Sequence, residues 1–227
     1  MKIGIITAMQ VEHDQIAALL TDCAELPAPS FGAPPVLMGR LGDHTVVLVM
    51  SGIGKVNAAI GAVEMINAYH PDSIISSGVA GGATTLVPRF HVVASTDVVY
   101  HDVYCFSDNA YGQIQGMPER FAADRKMLEI ASKIENVHPG TIASGDWFVD
   151  TKGKAGEILD HFPEALAIDM ESGAIAQTCF IYGVPFISFR IISDIPLASE
   201  RGEQYFDFWD RIAEGSFNTL KTMLTSI

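Results

Sequence analysis

The sequence has little positive charge, few cysteines and no long apolar run. Its 14 Lys and Arg residues stand against 27 Asp and Glu residues, which gives a formal net charge of −13. Binding along a nucleic-acid backbone needs clustered Lys and Arg, so we expect no nucleic-acid partner. The cysteines Cys23, Cys105 and Cys179 are odd in number and lack CxxC spacing, which indicates neither a disulfide framework nor a zinc site. Reduced thiols in a cytoplasmic protein are the simplest interpretation.

The apolar segments are too short for a membrane span. The first, Lys2–Met9, is followed directly by Glu12, His13 and Asp14, so it fits neither a signal peptide nor a transmembrane helix. We therefore expect no membrane association. Hydrophobic residues still make up 48% of the chain, which is typical of a globular protein. Because no linker or repeat divides the sequence, we expect a single domain over residues 1–227.

Strand-like and helix-like patterns alternate along the chain, which predicts an α/β fold. The predicted strands are Lys2–Met9, Thr45–Met50, Ser73–Ser77, Phe90–Val99, Thr141–Ser144, Ala165–Met170 and Pro185–Ile192. The predicted helices are Val11–Leu20, one after Gly54 with Val56, Ile60, Val63 and Ile66 along one face, then Ala122–Ile134, Ala155–His161, Glu171–Tyr182 and Phe206–Leu224. Between Val103 and Pro118 we expect an ordered loop. The expected architecture is a three-layer α/β/α fold with a central mixed, largely parallel sheet.

Three acidic residues, Glu12, Glu171 and Asp194, follow strand-like segments. We expect them on one rim, because α/β folds bind ligands at the carboxyl ends of their strands. Each one alone is explained better as a helix cap or a first-turn acid, but the coincidence of three is more informative. Cleaving a bond between a sugar and its leaving group needs one group that activates water and another that protonates the leaving group. Two carboxylates suffice for both roles.

Other motifs are ambiguous. The glycine-rich turn Gly78–Gly82 lacks the Lys of a P-loop and does not match the dinucleotide-binding fingerprint, so close backbone approach to a ligand or a neighbouring strand explains it as well. The pair His101 and Asp102 has no HxxxH or Cys partner, and we assign no metal and no cofactor. Large apolar residues beside the strand ends suit either a core or a purine-stacking surface with an alkylthio slot. They are Met9, Phe106, Phe148, Met170 and Phe206.

Segments spread over almost the whole chain resemble the 5'-methylthioadenosine/S-adenosylhomocysteine nucleosidases, within the wider nucleoside phosphorylase family. These segments are KIGIITAMQVEHD, SGIGKVNAA, SSGVAGG, YHDVYCFSDNAYGQ, SGDWFV, AIDMESGAIAQ and RIISD, in the family's order and at nearly its spacing. Two positions depart from the pattern: Val79 stands where Ser is commoner, and Asp169 where Glu is commoner. The loop after His101 is also shortened. Because Val79 lacks the Ser hydroxyl, the resemblance does not determine the reaction rate or the substrate preference.

The resemblance implies a hydrolase that cleaves the N-glycosidic bond of 5'-methylthioadenosine and S-adenosylhomocysteine. It implies Glu12 as the general base on the attacking water and Asp194 as the acid at purine N7. Glu171 would bind the ribose hydroxyls, Phe148 would stack on the base, and the backbone of Val149 would read the base edge. The other implied substrate contacts are Met9, Ile53, Val79, Met170, Arg190, Ser193 and Phe206, with Val103 and Phe106 contributed across the interface of a homodimer.

Three alternatives stay open. A nucleosidase for another purine nucleoside, such as a futalosine-type hydrolase, would share the fold and the acid-base logic. A phosphorylase would need several convergent Arg or Lys donors for phosphate, whereas the motifs supply chiefly Arg190. A non-catalytic nucleoside-binding protein would keep the fold and lose the chemistry. The intact residues Glu12, Glu171 and Asp194 argue against that last alternative.

Overall fold

The computed structural model describes residues 1–29, 34–106, 108–196, 208 and 217–226. Its strands are β1 (Lys2–Thr7), β2 (Thr21–Leu26), β3 (Val36–Leu41), β4 (His44–Met50), β5 (Ser73–Gly82), β6 (Val92–Tyr100), β7 (Phe121–Ala122), β8 (Val137–Ser144), β9 (Ala165–Asp169) and β10 (Phe186–Asp194). Its helices are α1 (Gln10–Ala17), α2 (Lys55–Tyr69), α3 (Arg125–Ala131), α4 (Lys152–His161), α5 (Ser172–Tyr182) and α6 (Asn218–Leu224). Within these residues no helix is long and apolar enough to cross a membrane.

The strands form one mixed sheet in the order β10-β6-β8-β9-β5-β1-β4-β3-β2, with β7 beside β6. Strand β5 also pairs with β10, so β5, β10, β6, β8 and β9 close into a ring from which β1, β4, β3 and β2 extend. Neighbours β1–β4, β1–β5, β5–β10, β6–β8 and β8–β9 are parallel. Neighbours β5–β9, β6–β10, β3–β4, β2–β3 and β6–β7 are antiparallel. The three-layer arrangement of the fold and the largely parallel character of its sheet stay predictions.

Apolar residues are buried on both faces of the sheet. Strand β1 contributes Ile3 and Ile5 to one core cluster and Ile6 to another, as alternating side chains of a strand require. The first cluster includes residues of α1, α3 and α6, and the second includes residues of α2 and α5. Strands covered on both sides read as continuous apolar runs, which is why the sequence predicts β1, β4 and β10.

Only part of the apolar face predicted for α2 is buried, because Ile66 lies in the core whereas two other residues do not. The prediction is wrong for Val56 and Ile60, which are 71% and 50% exposed. The buried residues are Ala58, Gly61, Ala62, Met65 and Ile66. Small side chains let the helix lie close to its neighbours: a Cβ on Gly61 would come within 2.9 Å of the Ser51 Cβ. Three of the five buried residues are Ala or Gly, and a pattern based on large apolar residues does not detect them.

Several predicted boundaries also differ. The segment Gly78–Gly82, predicted as a turn, is the second half of β5. The last strand runs on to Asp194, beyond its predicted end. The hairpin of β2 and β3 was not predicted, because β2 is mostly exposed and carries the mixed sequence TDCAEL. Of the helix predicted over Phe206–Leu224, the structure shows α6, and most of the remainder lies outside the described residues.

Candidate active site

One cavity opens where β1, β5, β9 and β10 end, walled by the loops around residues 53 and 148. Most of the predicted substrate contacts line it: Met9, Glu12, Ile53, Val79, Phe148, Val149, Met170, Glu171, Ser193 and Asp194. Loops at strand ends are where α/β folds place their ligands. The structure therefore brings together residues that lie up to 185 positions apart, from Met9 to Asp194.

Glu12 is held in place by backbone donors on two elements. Its Oε2 accepts hydrogen bonds from the N–H groups of Ala8 and Met9, both at 3.0 Å, and its Oε1 accepts one from the Val79 N–H at 2.9 Å. Met9 is the N-cap of α1, so Glu12 caps its own helix while facing the cavity. Burial raises the pKa of Glu12, while Arg190 and the three N–H groups oppose that rise. A carboxylate with a raised pKa is a stronger base.

The contact at position 79 is made by the backbone, so Val79 provides it as well as Ser would. The Val79 side chain is partly buried against the apolar cluster that includes α1 and α6. The departure from the family pattern therefore leaves the placement of Glu12 intact. What it removes is a hydroxyl at the edge of the cavity.

Glu171 begins α5, as its N-cap residue. Its Oε1 accepts a hydrogen bond from the Gly54 N–H at 2.9 Å, and its Oε2 lies 3.8 Å from the Arg190 Nη2. Burial raises the pKa of Glu171 to about 7, with Asp169 and Glu12 adding to the rise, while Arg190 and the Gly54 N–H oppose it. The site therefore holds a carboxylate that is only partly ionised near neutral pH before a ligand binds.

Arg190 does not line the cavity but lies behind it, 1% exposed. Its Nε donates to Asp169 Oδ2 at 2.6 Å and lies 3.2 Å from Ser172 Oγ, and its Nη2 donates to Ser76 Oγ at 2.8 Å. The predicted substrate contact is thus an internal cation that supports the carboxylates around it. Buried guanidinium groups need such partners, because an unpaired buried charge is very costly.

Gly78 makes this arrangement possible. A Cβ at that position would lie 2.4 Å from Arg190 Nη1 and 2.7 Å from Glu12 Oε1, so any side chain would collide with both charged groups. The glycines of SSGVAGG thus allow close approach to β5, one of the two interpretations that the sequence left open.

Asp194 sits at the end of β10, just after an irregularity in its pairing with β5. Such bulges redirect side chains. The Ser193 hydroxyl donates to Asp194 Oδ1 at 2.6 Å, and both residues are buried. The Arg89 Nε donates to the Ser193 carbonyl at 2.8 Å and fastens the strand end. Asp194 therefore faces the cavity from a fixed backbone.

The rim of the cavity is aromatic. Phe148 and Ile53 are 53% and 52% exposed, although both line the cavity. Trp147, which the sequence analysis did not select, lines it beside Phe148, and its ring centroid lies 5.3 Å from that of His101. Partly exposed aromatic faces at a cavity mouth suit a planar ligand.

Three predicted contacts lie elsewhere. Val103 is partly buried outside the cavity, in a shallow groove that includes Val56 and Ile181. Phe106 is 75% exposed. Phe206 lies outside the described residues.

Sequence analysis missed the free atom on Asp169. This residue is 5% exposed and lines the cavity, and its Oδ1 has no hydrogen-bond partner, although its Oδ2 is fully used. Only the presence of a carboxylate at that position was evident from the sequence. Among the described residues no group of three His, Cys, Asp or Glu side chains is arranged to hold a metal ion.

His101 and Asp102 lie close to each other but make different contacts. His101 is buried, and burial lowers its pKa against the opposing effect of Asp102. Asp102 forms an ion pair with Lys55 at 2.9 Å. Neither residue lines the cavity.

The fold and this site define an α/β protein with carboxylates converging at strand ends around an aromatic-rimmed cavity. The model of the phosphorylase superfamily matches residues 2–225. A curated 5'-methylthioadenosine/S-adenosylhomocysteine nucleosidase from Exiguobacterium sp. is 37% identical over 99% of this chain and 96% of its own length. The S. pneumoniae nucleosidase of that name, solved with the transition-state inhibitor MT-ImmA, superposes with a TM-score of 0.92 at 32% identity, covering 100% of this chain and 99% of that one.

The chain therefore belongs to the phosphorylase superfamily and, within it, to the 5'-methylthioadenosine/S-adenosylhomocysteine nucleosidases. The nucleoside phosphorylase-like α/β fold predicted from the sequence is confirmed. A futalosine hydrolase from Helicobacter pylori also superposes, with a TM-score of 0.90 at 28% identity over 100% of this chain and 98% of that one.

Proposed function

We propose that the chain hydrolyses the N-glycosidic bond of 5'-methylthioadenosine and S-adenosylhomocysteine, releasing adenine and the 5-thio-substituted ribose. The observation that carries the proposal is the convergence of Glu12 and Asp194 on one cavity. Both are about 2% exposed and both are fixed by hydrogen bonds. Family membership supports the same substrates.

In the proposed reaction Glu12 takes a proton from water, and the water oxygen attacks C1' of the ribose. The electrons of the glycosidic bond pass to the purine, which Asp194 protonates at N7. The Ser193 hydroxyl holds Asp194 in place. A sugar that becomes cationic in the transition state is stabilised by negative groups fixed beside it, and Asp169 and Glu171 supply them.

Substrate binding is divided between two sides of the cavity. Glu171 accepts hydrogen bonds from the ribose hydroxyls, and the free Oδ1 of Asp169 accepts one from water or a hydroxyl. Phe148 stacks on the purine, and the backbone of Val149 pairs with its edge. Met9, Ile53 and Met170 border the sugar and the 5' substituent.

Water is favoured over phosphate as the nucleophile. Among the described residues that line the cavity none is Lys, Arg or His, and Arg190 already has Asp169 and Ser76 as partners. Phosphate recognition normally uses several such donors.

We also propose a homodimer. Helices α2 and α5 expose Val56, Ile60, Phe180 and Ile181 at 50% or more, and Val103 lies in the groove between them. An exposed apolar patch of this kind marks an interface. The family resemblance implies that a second copy of the chain contributes Val103 and Phe106 to the substrate site.

The proposal covers one domain over residues 1–227 in the cytoplasm. The family match over residues 2–225 supports a single unit. Cys23, Cys105 and Cys179 are all unpaired, as a reducing compartment favours.

The test measures free base by chromatography from 5'-methylthioadenosine, S-adenosylhomocysteine, inosine and a futalosine analogue, with and without phosphate. Adenine released from the first two without phosphate, and lost in Glu12→Gln and Asp194→Asn, supports the proposal. Glu129→Gln and Asp43→Asn are matched controls, because both residues are exposed and remote from the cavity.

Other outcomes assign another function. Release only with phosphate means a phosphorylase. Release from the futalosine analogue alone keeps the mechanism and changes the substrate, which the likeness to the futalosine hydrolase makes the second candidate. No release from any nucleoside means a binding protein.

A further inference from the structure

Three loops meet beside the cavity on a cluster of charged residues, Lys55, Asp102 and Asp146, here called the clamp. Lys55 Nζ lies 3.0 and 2.9 Å from the two carboxylate oxygens of Asp102 and 3.8 Å from Asp146 Oδ2. The Asp146 N–H donates to Asp102 Oδ2 at 2.8 Å. The clamp thus fixes the loop before α2 against the loop that carries Trp147 and Phe148.

Asp146 also caps helix α2 from another part of the chain. The helix has Gly54 as its N-cap and therefore no capping side chain of its own. Asp146 Oδ1 accepts a hydrogen bond from the Lys55 N–H at 2.8 Å instead. A carboxylate is favourable at a helix N-terminus, where free N–H groups and the helix dipole attract it.

Lys55, whose N–H Asp146 accepts, directly follows Gly54, and Gly54 donates to Glu171, the proposed ribose contact. Gly54 has φ +93°, and a Cβ there would lie 3.1 Å from Asp146 Oδ1. Its N–H points to Glu171 Oε1 at 2.9 Å. The backbone that Asp146 holds at Lys55 is therefore the backbone that presents the Gly54 donor to Glu171.

We propose that Asp146 is a positioning residue, which holds the start of α2 so that the Gly54 N–H orients the Glu171 carboxylate for the ribose hydroxyls. Lys55 offsets the repulsion between Asp146 and Asp102, which lie in hydrogen-bonded loops. The proposal rests on the proposed function only for the identity of the ligand. The contacts among Asp146, Gly54 and Glu171 are present without a ligand.

The test compares Asp146→Ala, Asp146→Asn and Asp124→Ala. Asp124 caps α3 by accepting the Met127 N–H at 2.9 Å, so its loss matches the loss of a helix cap at a place remote from the cavity. We expect kcat/KM for 5'-methylthioadenosine to fall about ten-fold in Asp146→Ala, equal to about 1.4 kcal/mol, mainly through KM. Asn keeps an acceptor oxygen, so we expect Asp146→Asn to retain most of the wild-type kcat/KM.

The pH profile separates positioning from loss of stability. Displacing the Gly54 donor weakens one of the effects that lower the pKa of Glu171, so the acid limb of kcat/KM moves to higher pH in Asp146→Ala and stays in place in Asp124→Ala. Carbon-13 NMR of the Glu171 carboxyl measures the same shift without substrate.

The two proposals can fail separately. If the wild type releases no base, the proposed function fails, and the Glu171 titration still decides the role of Asp146. If Glu171 titrates at the same pH in the wild type and Asp146→Ala, or kcat/KM and its acid limb are unchanged in that variant, the positioning role is overturned.

Discussion

Replacing Glu171 with Gln is expected to make the ligand-free protein more stable at pH 8 and to leave it nearly unchanged at pH 4. The pKa of Glu171 is raised to about 7 in the folded protein from 4.5. The folded state therefore binds the proton more tightly than the unfolded state. The contribution of this group to stability is fully present below pH 4.5 and is lost as pH rises through 7.

The change in unfolding free energy follows from the pKa shift of Glu171. A difference of about 2.5 pH units, at about 1.4 kcal/mol per unit, is about 3 kcal/mol in the free energy of unfolding, and about 2.5 kcal/mol of it falls between pH 5 and pH 8. Gln keeps a carbonyl oxygen that accepts the Gly54 N–H. Arg190 keeps Asp169 as its charged partner at 2.6 Å.

The assay is urea unfolding of the wild type and Glu171→Gln at pH 5 and pH 8, because the difference between the two proteins cancels the other titrating groups. Those groups change the stability with pH in different directions, because the pKa of Glu12 is raised whereas that of His101 is lowered. A difference in unfolding free energy that is the same at both pH values would refute the reasoning.

Three further changes test the structure. Gly78→Ala is expected to destabilise the protein by about 1–3 kcal/mol, because the new Cβ meets Arg190 and Glu12; unchanged urea unfolding would contradict the close approach at β5. Phe148→Ala is expected to raise KM for 5'-methylthioadenosine about ten-fold or more, since stacking on a base contributes about 1–3 kcal/mol, and an unaltered KM would remove Phe148 from the binding surface. Ile60→Asp, which places a charge on the exposed apolar face of α2, is expected to give monomers in light scattering where the wild type gives dimers; a dimeric variant would place the interface elsewhere.

The buried strands and the positions of the acidic residues were accessible to sequence analysis. Strands β1, β4 and β10 are apolar along their length because both faces are covered. Glu12 was selected because it follows β1. The sequence allowed two interpretations of it, a helix cap and a group that faces the ligand, and the structure shows that they are compatible. Its carboxylate caps α1 through the Met9 N–H and faces the cavity as well.

Other features depend on contacts between distant parts of the chain. Nothing local marks Arg190 as an internal cation, because its partners Ser76, Asp169 and Ser172 come from β5, β9 and α5. The buried face of α2 was only partly predicted, because Ala58 and Gly61 pack there by being small, whereas a search for large apolar residues selects Val56. The clamp of Lys55, Asp102 and Asp146 likewise joins three separate motifs.

The charge balance around Arg190 connects stability with the proposed chemistry. Glu12, Asp169 and Glu171 surround this single buried guanidinium, so the ionised cluster carries more negative than positive charge. Burial raises the pKa of Glu171, the charges of Asp169 and Glu12 add to the rise, and the raised pKa costs stability above neutral pH. The same excess favours a sugar that becomes cationic and opposes an anionic nucleophile such as phosphate. Glu171→Gln is therefore expected to gain stability and lose activity together. The negative charge that stabilises the transition state destabilises the ligand-free protein.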